Sequence, residues 1–272
     1  MSQKSLSIIV YFYYNIVMQN PVEFVKKVIY NLGFFARILL GVGHFIRHSK
    51  ASFKILIMQV LFTFVHAMSI TILLGMAIGA AVFVIGEPFL ARLNQQQLIY
   101  SLLILIIMRE LGPLLTAFIV IARSATAIAT EIAGMVVSHE VEAYISVGVD
   151  PIHHLAVPRF LGVTISLVML NIYFSVFGLA GSFLVSQFFT FTPVDVYFGS
   201  LLNQLSIHDV LLSIIKSIAF GMIISTVAVI QGFSVERAFT EVPVAGLKAV
   251  SGAFGLCIFV NVLLSVLFFV VL

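Results

Sequence analysis

The chain has 272 residues, of which 61% are hydrophobic and only 9% are charged. Soluble domains usually carry about 25% charged residues, so this composition excludes a soluble globular protein and indicates an all-α polytopic membrane protein. The net charge of +3 comes with no basic face, which excludes nucleic acid as a partner, and the single cysteine excludes an intrachain disulfide.

The N-terminal 54 residues form a segment distinct from the apolar remainder, 55–272. Residues 5–18 are apolar but too short to span a bilayer, which needs about 20 residues, so we expect a membrane-surface or packing segment there. From Pro21 onward, basic residues alternate with apolar ones at helical spacing. This pattern predicts an amphipathic helix that lies in the membrane interface over anionic lipid. Its basic residues are Lys26, Lys27, Arg37, Arg47, Lys50 and Lys54.

Five membrane spans are predicted from the long apolar runs. They cover about residues 57–85, 98–121, 159–195, 210–231 and 248–272. The pair Gly75 and Gly79 in the first span allows close helix approach. A polar turn is expected at 87–97, a bend or surface turn in the third span near residues 178–181, and a loop at 191–209.

A charge pair interrupts the second span, because Arg109 and Glu110 lie side by side in an apolar run. A charge at the bilayer centre costs about 2.5–3.5 kcal/mol or more, so such residues usually pair or face a cavity. One interpretation is a structural salt bridge. The other is a polar lining of a substrate path, in which Arg109 attracts a phosphate and Glu110 balances Arg109 when the path is empty. Lys216 is a weaker candidate than Arg109 and Glu110 for a charge buried in a span, because a long side chain near a span end can reach the interface.

Small residues follow the charge pair at intervals of four and therefore share one helix face that favours close packing. They are Ala122, Thr126, Thr130 and Gly134.

A polar hairpin is then predicted over about 123–158. Ser138 is expected to cap a short helix whose first turn carries Glu140 and Glu142, both favourable at a helix N-terminus. Gly148 fits the C-terminal cap of that helix, and Pro151 prevents its continuation.

Catalytic and metal motifs are absent from the sequence. His139-Glu140 begins like the zinc motif H-E-x-x-H, but Ala143 stands where the second histidine is required. No G-x-x-x-x-G-K-[ST] sequence occurs, so the chain does not bind ATP through a P-loop. We therefore expect no metal site, no cofactor and no enzymatic activity in this chain.

Basic residues predict the orientation. With the N-terminus in the cytoplasm, eleven Lys and Arg residues face the cytoplasm and only Arg92 lies outside. This places the polar hairpin in the cytoplasm and the C-terminus on the opposite side.

Three ordered motifs between residues 109 and 160 resemble the MlaE-type permease family of MCE-associated ABC lipid transporters. They are R-E-L-G-P at Arg109–Pro113, A-x-E-I-x-x-M at Ala129–Met135 and V-D-P…P-R-F at Val149–Phe160. The resemblance implies a homodimer, a cytoplasmic ABC ATPase that binds ATP and magnesium, and a periplasmic MCE-domain hexamer. It also implies movement of phospholipid between that hexamer and the inner membrane, which contributes to outer-membrane lipid asymmetry.

The resemblance further implies that the hairpin is the coupling helix docked on the ATPase. The residues expected to couple to the ATPase are Glu131, Ser138, Glu140, Glu142 and Asp150. The expected location is the bacterial inner membrane, with a plastid inner envelope as the other possibility.

Two other function classes remain open at this point. One is an ion- or proton-coupled secondary transporter that uses Arg109 and Glu110 as its relay, and the other is a non-transporting membrane scaffold. Secondary transporters often contain internal repeats, and five spans with one charged pair do not divide into halves. An ATPase that co-purifies with the chain would support the ABC interpretation.

Overall fold

The computed structural model describes residues 21–48, 50–236 and 238–271, and all regular structure in these ranges is helical. The predicted apolar segment at 5–18 lies outside the described residues. The helices in chain order are α1 (Pro21–His48), α2 (Lys50–Arg92), α3 (Leu98–Val137), α4 (Glu140–Ser146), α5 (Ile152–Phe189), α6 (Val194–Gln204), α7 (Ile207–Phe233) and α8 (Val242–Val271).

Five of the described helices are long and apolar enough to cross a membrane, namely α2, α3, α5, α7 and α8. The predicted polytopic all-α architecture is therefore confirmed. Successive spans run in opposite directions, so the bundle has two distinct ends. The hairpin end carries α1, α4 and the first turn of α5. The far end carries α6 and the last turn of α8.

The helices are longer than the apolar runs predicted. α2 continues through Pro88 to Arg92, and α3 continues 16 residues past Ile121 to Val137, so the hairpin contains only the short segment between α3 and α5. At 1.5 Å per residue the 40 residues of α3 measure about 60 Å, about twice the hydrocarbon thickness of a bilayer. Hydropathy marks the part of a helix that lies in lipid, and the helix itself extends into the polar region.

Two further expectations about the loops are wrong. The third span has no surface turn near residues 178–181, because these residues lie within a continuous helix from Val157 to Phe189. The predicted loop 191–209 contains α6, which packs on the bundle through the fully buried Tyr197.

Helices α2 and α5 pack closely because glycines face each other across their contact. A Cβ atom on Gly75 would lie 2.9 Å from the carbonyl oxygen of Phe174, and a Cβ on Gly79 would overlap with the backbone of Gly178. On α5, a Cβ on Gly181 would lie 2.7 Å from Cα of Met76. Only glycine allows the two backbones to approach this closely.

The small-residue face of α3 contacts α8. A Cβ on Gly246 would lie 3.0 Å from Cγ2 of Thr130 and 3.1 Å from Cγ2 of Thr126. The two ends of the face differ, because Ala122 is exposed and a Cβ on Gly134 would have no neighbour within 4 Å.

The amphipathic helix α1 lies across the hairpin end of the bundle. Its inner face buries Ile38 completely and places the ring of Phe35 6.1 Å from that of Phe160. Its outer face is apolar and exposed, with Ile29 at 63% and Leu40 at 77%. Of the predicted basic residues, the side chains of Lys27, Arg47 and Lys50 lie outside the part of the structure that is described.

Candidate functional site

The candidate site is a cluster of charged and polar side chains between α3, α7 and α8. Residues Ile104–Leu111 form a π-helical segment inside α3, and this segment contains Arg109 and Glu110. Such segments insert an extra residue into a turn and are frequent at functional sites, because they change the direction of the side chains.

Lys216 of α7 forms the centre of the cluster and is 0% exposed. Its Nζ lies 2.9 Å from Oε2 of Glu110, 3.0 Å from the carbonyl oxygen of Arg109 and 2.7 Å from Oγ of Ser265. These three acceptors match the three N–H donors of a lysine ammonium group. The expectation that Lys216 reaches the membrane surface is therefore wrong, since its side chain points into the bundle and is neutralised there.

The last helix adds two polar groups to the carboxylate of Glu110. Oγ of Ser265 lies 3.1 and 3.0 Å from the two carboxylate oxygens, and Nδ2 of Asn261 lies 3.5 Å from Oε2. Because Glu110, Lys216 and Ser265 come from three different spans, this group fixes α3, α7 and α8 relative to one another.

Arg109 pairs with a different residue. Its Nη1 lies 3.5 Å from Oδ1 of Asp209 on α7, and its guanidinium carbon lies 4.7 Å from the ring centroid of Phe268. The prediction that Arg109 and Glu110 balance each other is therefore wrong. Adjacent helical residues point in different directions, so each of the two binds its own partner on α7.

A pocket of about 280 Å³ opens beside Arg109. It is lined by Ser101, Ile104, Leu105, Arg109, Gln204 and Asp209. A hydrogen bond of 3.0 Å from Ser101 to Gln204 closes its α6 side. Nε of Arg109 is buried and has no hydrogen-bond partner in the described structure, whereas Glu110 does not line this pocket. Of the two predicted substrate-binding residues, Arg109 alone faces this space.

The polar hairpin is built from local stop signals. Gly148 has a φ of 79°, its N–H donates to the carbonyl of Ile145 at 3.0 Å, and the N–H of Val149 donates to Tyr144 at 2.9 Å. These are the two hydrogen bonds of a Schellman motif, so the predicted glycine cap is confirmed.

Ser138 does not cap α4 as predicted. It lies at the end of α3, and His139 occupies the N-cap position of α4 with a φ of 61°. The Ser138 hydroxyl instead donates to Oε1 of Glu140 at 3.1 Å. The predicted first-turn position of Glu140 and Glu142 in α4 is confirmed.

Two of the predicted coupling residues bind within the chain. Glu131 accepts from the buried Arg159 at 2.8 Å, which ties α3 to α5 beside the hairpin. Asp150 accepts from the backbone N–H of Ile152 at 2.9 Å and thereby caps the start of α5. The exposed tip of the hairpin is apolar as well as acidic, with Ile145 at 60% and Val147 at 73% exposure.

The described residues contain no group of three or more His, Cys, Asp or Glu side chains that could hold a metal ion. Comparison with known proteins then identifies the family, because the model of the family described as Permease MlaE matches residues 56–267. The chain belongs to the MlaE permease family.

The chain is also similar to proteins from distant organisms. The chain is 30% identical over 216 residues to a probable ABC transporter permease protein of Rickettsia prowazekii, covering 79% of this chain and 83% of that protein. It is 26% identical over 185 residues to the intermembrane phospholipid transport system permease protein MlaE of Haemophilus influenzae, covering 68% and 71% of the two chains. The chloroplastic protein TRIGALACTOSYLDIACYLGLYCEROL 1 of Arabidopsis thaliana is 31% identical over 137 residues, 50% of this chain and 39% of that protein.

Proposed function

We propose that this chain is the membrane-spanning subunit of an ATP-driven transporter that moves phospholipid. Its Haemophilus relative carries the name of an intermembrane phospholipid transport permease, which supports this substrate class. Because the sequence has no P-loop motif, ATP hydrolysis belongs to a separate ATPase subunit that acts on a homodimer of this chain.

The observation that carries the substrate assignment is the pocket beside Arg109. A guanidinium group lies at its wall, in the interior of a span, with its Nε unpartnered and Asp209 3.5 Å away. A phosphate diester offers an anion that Arg binds strongly and with two parallel hydrogen bonds. We propose that a lipid phosphate replaces or shares the contact with Asp209, while apolar side chains such as Ile104 contact the acyl chains.

The hairpin is the proposed contact with the ATPase. Glu140, Glu142, Ile145 and Val147 are exposed at its tip and supply both charge and apolar area for docking. The Glu131–Arg159 ion pair and the Asp150 cap then hold the tip rigidly on α3 and α5, so a movement of the docked tip shifts these spans.

We place the chain in the bacterial inner membrane with the hairpin end in the cytoplasm, in agreement with the positive-inside distribution of its basic residues. The far end then faces the periplasm, where an MCE-domain hexamer exchanges lipid with the pocket. This exchange contributes to outer-membrane lipid asymmetry.

The test is transfer of a fluorescent phospholipid by the chain reconstituted in vesicles with its ATPase subunit. We expect ATP-dependent transfer by the wild type, a loss of about tenfold or more in R109Q, and wild-type transfer in R92Q, which removes an exposed arginine at the far end. Equal transfer by R109Q and R92Q would exclude Arg109 as the phosphate-binding group. Transfer that needs a proton gradient and no ATP would contradict the ABC mechanism.

A further inference from the structure

The pocket beside Arg109 carries two opposite charges on its walls. Arg109 of α3 and Asp209 of α7 are its only charged lining residues in the part of the chain that the structure describes. Nη1 of Arg109 lies 3.5 Å from Oδ1 of Asp209, which is longer than the roughly 2.7–2.9 Å of a charge-assisted hydrogen bond. The other polar lining groups, Ser101 and Gln204, are uncharged and hydrogen-bond to each other at 3.0 Å. Both charges are therefore available to a ligand in the pocket.

The start of α7 fixes the position of Asp209. Its Oδ2 accepts from the backbone N–H of Ser206 at 3.2 Å, as one half of a capping box, and Oδ1 is the oxygen that faces Arg109. The Asp209 side chain is only 12% exposed. Because water screens a charge weakly at such a site, the carboxylate acts strongly on any charged group that enters the pocket.

The charges around the pocket sum to zero. Arg109 and Asp209 cancel, and the adjacent pair of Lys216 and Glu110, with 2.9 Å between Nζ and Oε2, cancels as well. An anionic ligand that binds Arg109 therefore places a negative charge beside Asp209 with no second cation to neutralise it. Lys216 does not supply that cation, because its three N–H donors already have acceptors. A ligand with one anion and one cation keeps the sum at zero and binds both walls.

We propose that the pocket selects a phospholipid with a zwitterionic headgroup and that Asp209 determines this specificity. The phosphate contacts the guanidinium group of Arg109, and the ammonium group of an ethanolamine-type headgroup contacts Oδ1 of Asp209. Two carbon atoms link the phosphate ester oxygen to the nitrogen in such a headgroup, so its two charges reach two wall charges that lie 3.5 Å apart. This inference rests on the proposed transport of phospholipid and adds the headgroup class that the pocket takes.

The chain offers matched variants at the same end of the bundle. D209N removes the charge, keeps the shape and retains an oxygen that accepts from the N–H of Ser206. D209E keeps the charge. D195N removes an equal charge from the exposed first turn of α6, outside the pocket. A change in headgroup preference that occurs in D209N and not in D195N is therefore a property of the pocket and not of the surface charge.

The first measurement is lipid binding by the full chain purified in detergent. Phosphatidylethanolamine and phosphatidylglycerol with identical acyl chains compete at equal concentration, and mass spectrometry of the bound lipid counts each class. R109Q, which removes the phosphate partner, measures the lipid bound elsewhere on the chain. We expect the wild type to prefer phosphatidylethanolamine by about fivefold or more. In D209N the pocket carries one net positive charge, so the ratio should fall to about one or below through stronger binding of phosphatidylglycerol. D209E and D195N should keep the wild-type preference.

The second measurement is ATP-dependent transfer of the same two lipids in vesicles that contain the ATPase subunit, where the transfer ratio should follow the binding ratio. Equal binding of the two lipids by the wild type would overturn the inference without any variant. A wild-type preference that D209N leaves unchanged would overturn it as well. ATP-dependent transfer without headgroup preference refutes the role of Asp209 and leaves the transport function intact. If neither lipid is transferred with ATP, the transport function is refuted, and the binding ratio still decides whether the pocket selects a zwitterion.

Discussion

The buried pair of Lys216 and Glu110 allows a sharp test of the site. Removing one member of a buried ion pair typically costs about 3–5 kcal/mol, because the other charge stays buried without compensation. Lys216 is 0% exposed and the Glu110 side chain is 33% exposed, so K216M leaves a carboxylate held only by Ser265 and Asn261. In a protein of this size each kcal/mol corresponds to about 2–4 °C, so K216M should lower the melting temperature by about 6–20 °C.

The double variant K216M/E110Q should recover most of this loss, because a glutamine still hydrogen-bonds to Ser265 and leaves no buried charge. Thermal unfolding of the purified protein in detergent measures both variants, with K248M as a control at an exposed lysine. A wild-type melting temperature for K216M would refute the assigned burial, and failure of E110Q to rescue it would refute the assigned pairing.

The pairing also predicts a result opposite to that expected for mutual neutralisation of Arg109 and Glu110. If these two residues balanced each other, R109Q/E110Q would be nearly neutral. In the structure, this double variant leaves Asp209 and Lys216 without their oppositely charged partners, so it should melt at least as low as E110Q alone. R109Q alone should reduce transport with a small change in melting temperature, because the Arg109–Asp209 contact is long and partly exposed.

Three further outcomes follow from the packing and the caps. G79A should lower the stability by about 1–3 kcal/mol in thermal unfolding because its Cβ meets the α5 backbone, while the matched G255A, with open space around it, should be neutral or stabilising. G148A should reduce ATP-driven lipid transfer by distorting the Schellman cap, and G148N should retain more, because asparagine tolerates a φ of 79° better than alanine does; equal transfer would contradict this. Y197F should lose about 1 kcal/mol, because the Tyr197 hydroxyl forms a 2.6 Å hydrogen bond to Ser182. Burial raises the pKa of Tyr197 to about 12. The stabilisation of the folded state by this hydroxyl is therefore complete below about pH 10, the usual tyrosine pKa, and is lost as the pH rises to about 12. A titration of stability against pH should show no such loss in Y197F.

Features encoded in local sequence were predicted well. The number of spans follows from apolar length, because a bilayer requires about 20 apolar residues for each crossing. The end of α4 follows from Gly148 and Pro151, because a left-handed glycine and a proline stop a helix whatever surrounds them. The ends of the long spans were predicted less well, since α3 and α2 extend beyond the lipid-facing residues that hydropathy detects.

The candidate site was likewise predicted in part from local sequence. The sequence by itself determined that Arg109 and Glu110 lie inside an apolar span and need partners, because the cost of a charge in lipid is a local property. Asp209, Ser265 and the central role of Lys216 were missed, although a lysine in a long uncharged run was a usable signal. Only the tertiary structure decided which charge binds which. The residues concerned are 49 to 155 positions apart in sequence, and their pairing depends on how three helices rotate and pack around one another.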